Sequence, residues 1–175
     1  MHPRETVRES FVALIKAANT AAGDNVFNMR DFNFFVEIMP SINISTQSER
    51  IEDGHDYGLR RRVLTVDVEC YATGGGGARC VDQLAWEVEK IFHANPNLSD
   101  TVETCRLHDI AMAFGDNGSS ALHGAILTFE VTYVTFPNGN EEEGKIGIVE
   151  PFTGFEPETG IKNEEKYTKI EDTHV

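Results

Sequence analysis

Positive charge is the first thing this sequence is short of. Fifteen Lys and Arg stand against twenty-nine Asp and Glu, giving a net charge of −14. Direct nucleic-acid binding draws on clustered cations that neutralise phosphates, so sequence-specific nucleic-acid recognition is not expected. Long apolar runs are missing too. No stretch approaches the roughly eighteen residues that a membrane span needs, and Met1-His-Pro-Arg-Glu-Thr6 lacks the apolar centre of a signal peptide. No membrane partner is expected. The three cysteines, Cys70, Cys80 and Cys105, are odd in number and without metal-ligand spacing. They read as reduced thiols, Cys70 as a small apolar core residue, in a soluble protein of a reducing compartment. The six histidines form no His-x-x-x-His pair and there is no Cys-x-x-Cys, so no metal or other cofactor is expected.

What the sequence does have is a patterned centre. From Leu64 to Ala72, Leu64, Val66, Val68, Cys70 and Ala72 alternate with Thr65, Asp67, Glu69 and Tyr71, the period-2 pattern of a strand with one buried face. Gly74–Gly77 interrupts it. From Ala78 the period changes, and Val81, Leu84, Ala85, Val88, Ile91 and Phe92 form one apolar stripe of a helix. Asn95-Pro96 stops that helix, because a residue before proline is pushed out of the helical region. Glycines before a helix are where a phosphate can bind. Here, however, there is neither the Lys-Ser/Thr of a P-loop nor a Gly-x-Gly-x-x-Gly, and only Arg79 supplies a cation. A flexible connection is the expected role.

Around this unit, Val7, Phe11, Leu14, Ile15 and Ala18 predict an amphipathic helix over residues 3–22, with Pro3 in its first turn. Short strands are expected at Val26–Arg30 and Phe34–Met39. Ser41–Gly58 is polar and reads either as a functional or partner-ordered loop, or as a hairpin arm between Phe34–Ile38 and Arg62–Tyr71. Further strands are expected at Leu107–Phe114, with Ile110, Met112 and Phe114 on one face, and at Ala125–Phe136, joined by a Gly115–Ser119 turn. In Ala125–Phe136, Leu127, Phe129, Val131 and Tyr133 alternate with Thr128, Glu130 and Thr132. The expected fold is α/β (α+β), a single mixed, mostly antiparallel sheet with two helices on one face. Residues 1–137 form the domain, and 138–175, with ten acids and four bases, form an acidic, glycine-rich carboxyl-terminal extension with a short strand at Ile146–Val149.

The opposite sheet face is expected to be polar and acidic. Asp67 and Glu69 share it, as a pair of acid/base carboxylates would, but no apolar pocket is evident around them, so a solvated or pore-facing wall with Glu130 is the better reading. Arg60-Arg61-Arg62 is a small basic cluster, suited to solubility or to docking an acidic partner. Trp86 lies off the helical stripe and points outward; tryptophan is enriched at protein–protein hot spots.

Leu64-Thr-Val-Asp-Val-Glu-Cys-Tyr-Ala72 followed by Val81-Asp-Gln-Leu-Ala-Trp-Glu-Val-Glu-Lys-Ile-Phe92 resembles the strand–helix core of the phage minor tail protein U family, the tail terminator or tail completion proteins of lambda-type long-tailed phages. The resemblance continues through Asn97–Asp100, Ile110–Phe114 and the closing Leu127-Thr-Phe-Glu-Val-Thr-Tyr133, and covers about residues 3–136. It implies a non-enzymatic structural virion protein that forms a hexameric ring at the head-proximal end of the tail tube. Such a ring stops tube polymerisation and joins the tail to the head and neck. It would be assembled in the host cytoplasm, with the genome passing through its lumen. The implied partners are other copies of the chain, the tail tube protein, a head–tail connector or neck protein, and a sheath protein if the tail is contractile. On this reading Asp67, Glu69 and Glu130 face the lumen. Trp86, Arg60, Arg61 and Arg62, with Glu49 and Asp53 of the 41–58 segment, contribute to interfaces. The extension after residue 137 departs from compact members of the family. Two alternatives stay open: another neck or head-completion protein, and, from a different class, a small enzyme using Asp67, Glu69 or Gly74–Gly77.

Overall fold

The computed structural model describes residues 2–29, 38–52, 59–116 and 121–135, together with 152–153 and 168–169. Its first element is the helix α1, Pro3–Ala17. The His2 imidazole caps it, Nδ1 accepting from the Arg4 amide at 3.3 Å, and Glu5 sits in the first turn, where the helix dipole favours a carboxylate. The helix stops short of the expected residue 22. Asn19 takes the left-handed conformation with φ +49°, which asparagine tolerates better than most residues, and the chain turns through Thr20–Gly23.

The strands are β1 (Val26–Asn28), β2 (Ser41–Glu52), β3 (Arg60–Thr73), β4 (Thr104–Asp116) and β5 (Ala121–Thr135), with the helix α2 (Gly77–Ala94) between β3 and β4. They form one sheet in the order β1-β2-β3-β5-β4. Only the β1–β2 pairing is parallel; β2–β3, β3–β5 and β5–β4 are antiparallel. Two further two-residue strands, β6 (Phe152–Thr153) and β7 (Thr168–Lys169), pair antiparallel with each other. The expected α+β fold, a mixed sheet with two helices, is what forms. Residues 34–37 of the expected Phe34–Met39 strand, the 53–58 segment, the turn residues 117–120 and the 146–149 strand lie outside the described residues, and Ile38 and Met39 are not part of a strand.

Residues 41–52 are not a loop but the arm of a hairpin with β3. Ile42 and Ile44 are fully buried against Cys70 and Val68, while Asn43 and Ser45 lie opposite Glu69 and Asp67. The register then shifts between Thr46 and Ser48. Such a bulge moves the alternation by one residue, bringing Glu49 and Ile51 to the helix side opposite Leu64 and Arg62.

Both helices pack on that side and close a single core. Val7, Phe11 and Ile15 of α1 meet Val81, Leu84, Val88 and Phe92 of α2 over the buried residues of β2, β3 and β5. At its centre, Phe11, Phe92 and Phe129 form a three-ring cluster with centroids 4.4–5.5 Å apart. The glycine run has two constrained members. Gly74 takes a positive φ of +86°, which favours glycine. A Cβ on Gly77 would meet the His123 ring at 2.5 Å, whereas Gly75 and Gly76 have open space around them. The expected flexible connection therefore ends in a tight helix–strand approach.

Truncating a buried aromatic removes contacts and leaves a cavity. Phe129→Ala is expected to lower unfolding stability by about 3–5 kcal/mol in a urea titration followed by circular dichroism.

Candidate functional site

The sheet face away from the helices is polar and tied together by carboxylates. Glu69 accepts from Asn43 Nδ2 at 3.2 Å, Ser45 Oγ at 3.1 Å and the Tyr71 hydroxyl at 3.0 Å. Asp67 accepts from Thr128 Oγ1 at 2.8 Å. Glu130, exposed, lies between Thr65 of β3 and Arg106 of β4. Burial, followed by the neighbouring Glu69 carboxylate, pushes the Tyr71 phenol up. Asp67, Glu69 and Glu130 thus share one face of two adjacent strands, as their alternation predicts. Their neighbours are hydroxyls and amides held in strand register, which position the carboxylates as a wall.

The arginine cluster does not form one surface, because successive strand residues point to opposite faces. Arg61 lies beside Glu103 at 3.5 Å on the partly exposed side. Arg62 points to the helix side, where its guanidinium holds Glu49 at 3.0 Å and donates through Nε to Thr135 Oγ1 at 2.8 Å. Arg60 is exposed at the start of β3. The other Glu49 oxygen accepts from the hydroxyl of the fully buried Tyr133. Burial and that hydrogen bond push the Tyr133 phenol up. Arg62 and Glu49 have side chains only 16% and 12% exposed, so within this chain they link β2, β3 and β5. Asp53 lies outside the described residues. Trp86 is 58% exposed on the outer side of α2, with Lys90 Nζ 5.8 Å from its ring centroid.

Two further features stand apart from the carboxylates, the arginines and Trp86; the first has no signal in the sequence, and the second is the expected one-faced row of β4, left exposed. A cavity of about 400 Å³ lies between the carboxyl-terminal half of α2 and the start of β4, with Phe92, Leu107 and Phe129 on its walls and Glu89, His93 and Arg106 among its polar lining residues. The second is the row Ile110, Met112 and Phe114 on the edge strand β4, 41%, 48% and 73% exposed. Its alternation marks one face of a strand, but the core lies elsewhere, and alternation does not distinguish a covered face from an open one.

Among the described residues no group of three His, Cys, Asp or Glu side chains could hold a metal ion, and no helix is long and apolar enough to cross a membrane. The three thiols are free; burial pushes Cys70 and Cys105 up to about 12 and raises the partly exposed Cys80. No protein-family model matches this chain, and no curated protein gives a significant match.

Two outcomes are expected. Glu49→Ala leaves the Arg62 charge and the Tyr133 hydroxyl without their partner in a shielded site, and should cost about 3 kcal/mol in a denaturant titration; Tyr133→Phe, which keeps the ion pair, should cost about 1 kcal/mol. Because the thiolate is the reactive form, a disulfide reagent at pH 8 should modify Cys80 first, and reach Cys70 and Cys105 only on unfolding. Mass spectrometry of the modified peptides reads this directly.

Proposed function

We propose that this chain is a non-enzymatic, ring-forming structural protein of a phage tail, a terminator that caps the head-proximal end of the tail tube and joins it to the head and neck. The observation that carries the reading is the arrangement of the segments resembling the minor tail protein U family. Leu64–Ala72 and Leu127–Tyr133 are paired neighbours in β3 and β5, and Val81–Phe92 lies in the helix that covers them. The side of that pair that no described helix covers supports the assignment of a lumen wall. It presents Asp67, Glu69 and Glu130, and a chain of net charge −14 repels a sliding phosphate backbone instead of gripping it.

In this reading the carboxylates are electrostatic lining and perform no acid/base chemistry. The sheet face stiffens the wall through the Glu69 and Asp67 hydrogen bonds, and the helices stand on the outside. Trp86 presents an amphipathic anchor of the kind that protein interfaces use to a tube or neck protein. The partners are further copies of the chain in a hexamer, the tail tube protein and a connector or neck protein, with a sheath protein in a contractile tail. The site of action is the head-proximal end of the virion tail, after assembly in the host cytoplasm.

The test is light scattering and negative-stain imaging of the purified protein, alone and with tail tube protein. Rings of about six subunits, alone or seated on tube ends, are the expected result. A stable monomer that ignores tube ends, and whose melting temperature rises with a small-molecule ligand, would replace this reading with an enzyme.

A further inference from the structure

The outer face of α2 carries a stripe of its own. Arg79, Asp82, Trp86, Glu89, Lys90 and His93 recur at helical spacing, away from the buried Val81, Leu84, Val88 and Phe92. Trp86 is 58% exposed; Arg79, Asp82, Lys90 and His93 are exposed, and Glu89 is half-buried. Two cations balance two carboxylates along the stripe, and among the described residues none of the four belongs to an ion pair. One flank of the helix is occupied, because Glu87 accepts from the Ala21 amide and from Gln83, each at 2.8 Å. The other flank borders the cavity of about 400 Å³, and Glu89 and His93 belong both to the stripe and to the cavity wall.

That cavity suits an aromatic ring. Its floor is the buried Phe92, Phe129 and Cys105 with the half-buried Leu107 beside them, and phenyl rings take a further ring in offset or edge-on contact. Glu89 offers an acceptor for an indole N–H. Trp86 of the same chain does not line the cavity; it stands two helical turns, about 10 Å, from His93. The indole of a second copy has no such restriction. Consider two α2 helices laid antiparallel across a two-fold axis that lies in the contact plane, perpendicular to both. Such an axis keeps the cavity flanks of both helices on the same side of the pair, and residues equally far from it face each other. Placed between Glu89 and Lys90, it sets Trp86 of each copy opposite His93 of the other, each about 5 Å from the axis along the helix. Both indoles then reach both cavities. The same placement, chosen for the indoles, sets each Glu89 against the other copy's Lys90. Copies of a chain at −14 repel one another over most of their surface, but here the facing charges are unlike.

We propose that two copies pair through α2 across this axis, Trp86 of each filling the cavity beside His93 of the other and Glu89 of each holding the other's Lys90. The occupant of the cavity is a second copy of this chain, and neither cavity is complete without the other copy's indole. The contact uses one self-complementary surface twice. It does not depend on the ring reading: in a tail this face meets the tube or neck protein, and the pair is the form in which free subunits keep it covered.

Sedimentation velocity of the full chain over a concentration series tests it, with a monomer–dimer step expected. Trp86→Ala, Glu89→Lys and Lys90→Glu should each keep the native circular dichroism and weaken pairing at least about tenfold, the effect of losing about 1.4 kcal/mol. The double variant Glu89→Lys/Lys90→Glu should pair like the wild type, since each swapped charge again meets its opposite, and so should an equimolar mixture of the two single variants. A wild type that stays monomeric, or that forms only single rings, overturns the pair. Dimers indifferent to all three substitutions overturn the assignment to α2, and a double variant no better than either single one overturns the register. Rings on tube ends in Lys90→Glu, after its pairs are lost, uphold the pair and the ring reading separately. Pairs without rings uphold the pair and sink the ring reading alone.

Discussion

Everything in this fold hangs on one apolar surface, the face of β3 and β5 that lies under two helices. Leu64, Val66, Val68 and Cys70 from one strand, and Leu127, Phe129 and Val131 from the other, make a continuous sheet of side chains almost closed to solvent. Neither helix contacts that surface alone. Phe11 of α1 and Phe92 of α2 meet each other over Phe129, so the helices are packed jointly. Close packing of this kind makes both angles interdependent. The polar side of the same strands inherits its order from this arrangement. Asp67 and Glu69 stand at fixed intervals because the residues between them are anchored in the core.

That division explains what could be read in advance. β3, α2 and β5 each keep an unbroken period, and their buried faces follow from it residue by residue. β2 was obscured by its bulge. Ile42 and Ile44 alternate correctly, but the extra residue near Gln47 shifts the phase, so Ile51 no longer falls in step and the segment resembles a polar loop. α1 ends before the expected residue 22, since Ala18 continues the apolar pattern but Asn19 leaves the helical region.

The carboxylate wall was legible from alternation, and Trp86 from its distance to the helical stripe. The arginine triplet was not, because adjacency in sequence on a strand means opposition in space. Pairing Arg62 with Glu49 required the β2–β3 register and the bulge together. The open row on β4 was equally hidden. Its residues have the pattern of a core strand, and only the sheet order reveals that they stand beyond the cover of α2. A local pattern reports which residues share a face; what lies over that face is a property of the whole chain.

Gly77 turns the meeting of β3 and α2 into the pivot of a lever. The helix runs 18 residues from that point, or about 27 Å at the usual rise. With the His123 ring pressed against the Gly77 backbone, the pivot has no room for a side chain. A tilt of about ten degrees there would carry the far end roughly 5 Å by the same geometry. That displacement would draw Phe92 away from Phe11 and Phe129. A residue with no side chain therefore sets the aim of the longer of the two described helices, and the outward direction of Trp86 is fixed at the point where the helix begins.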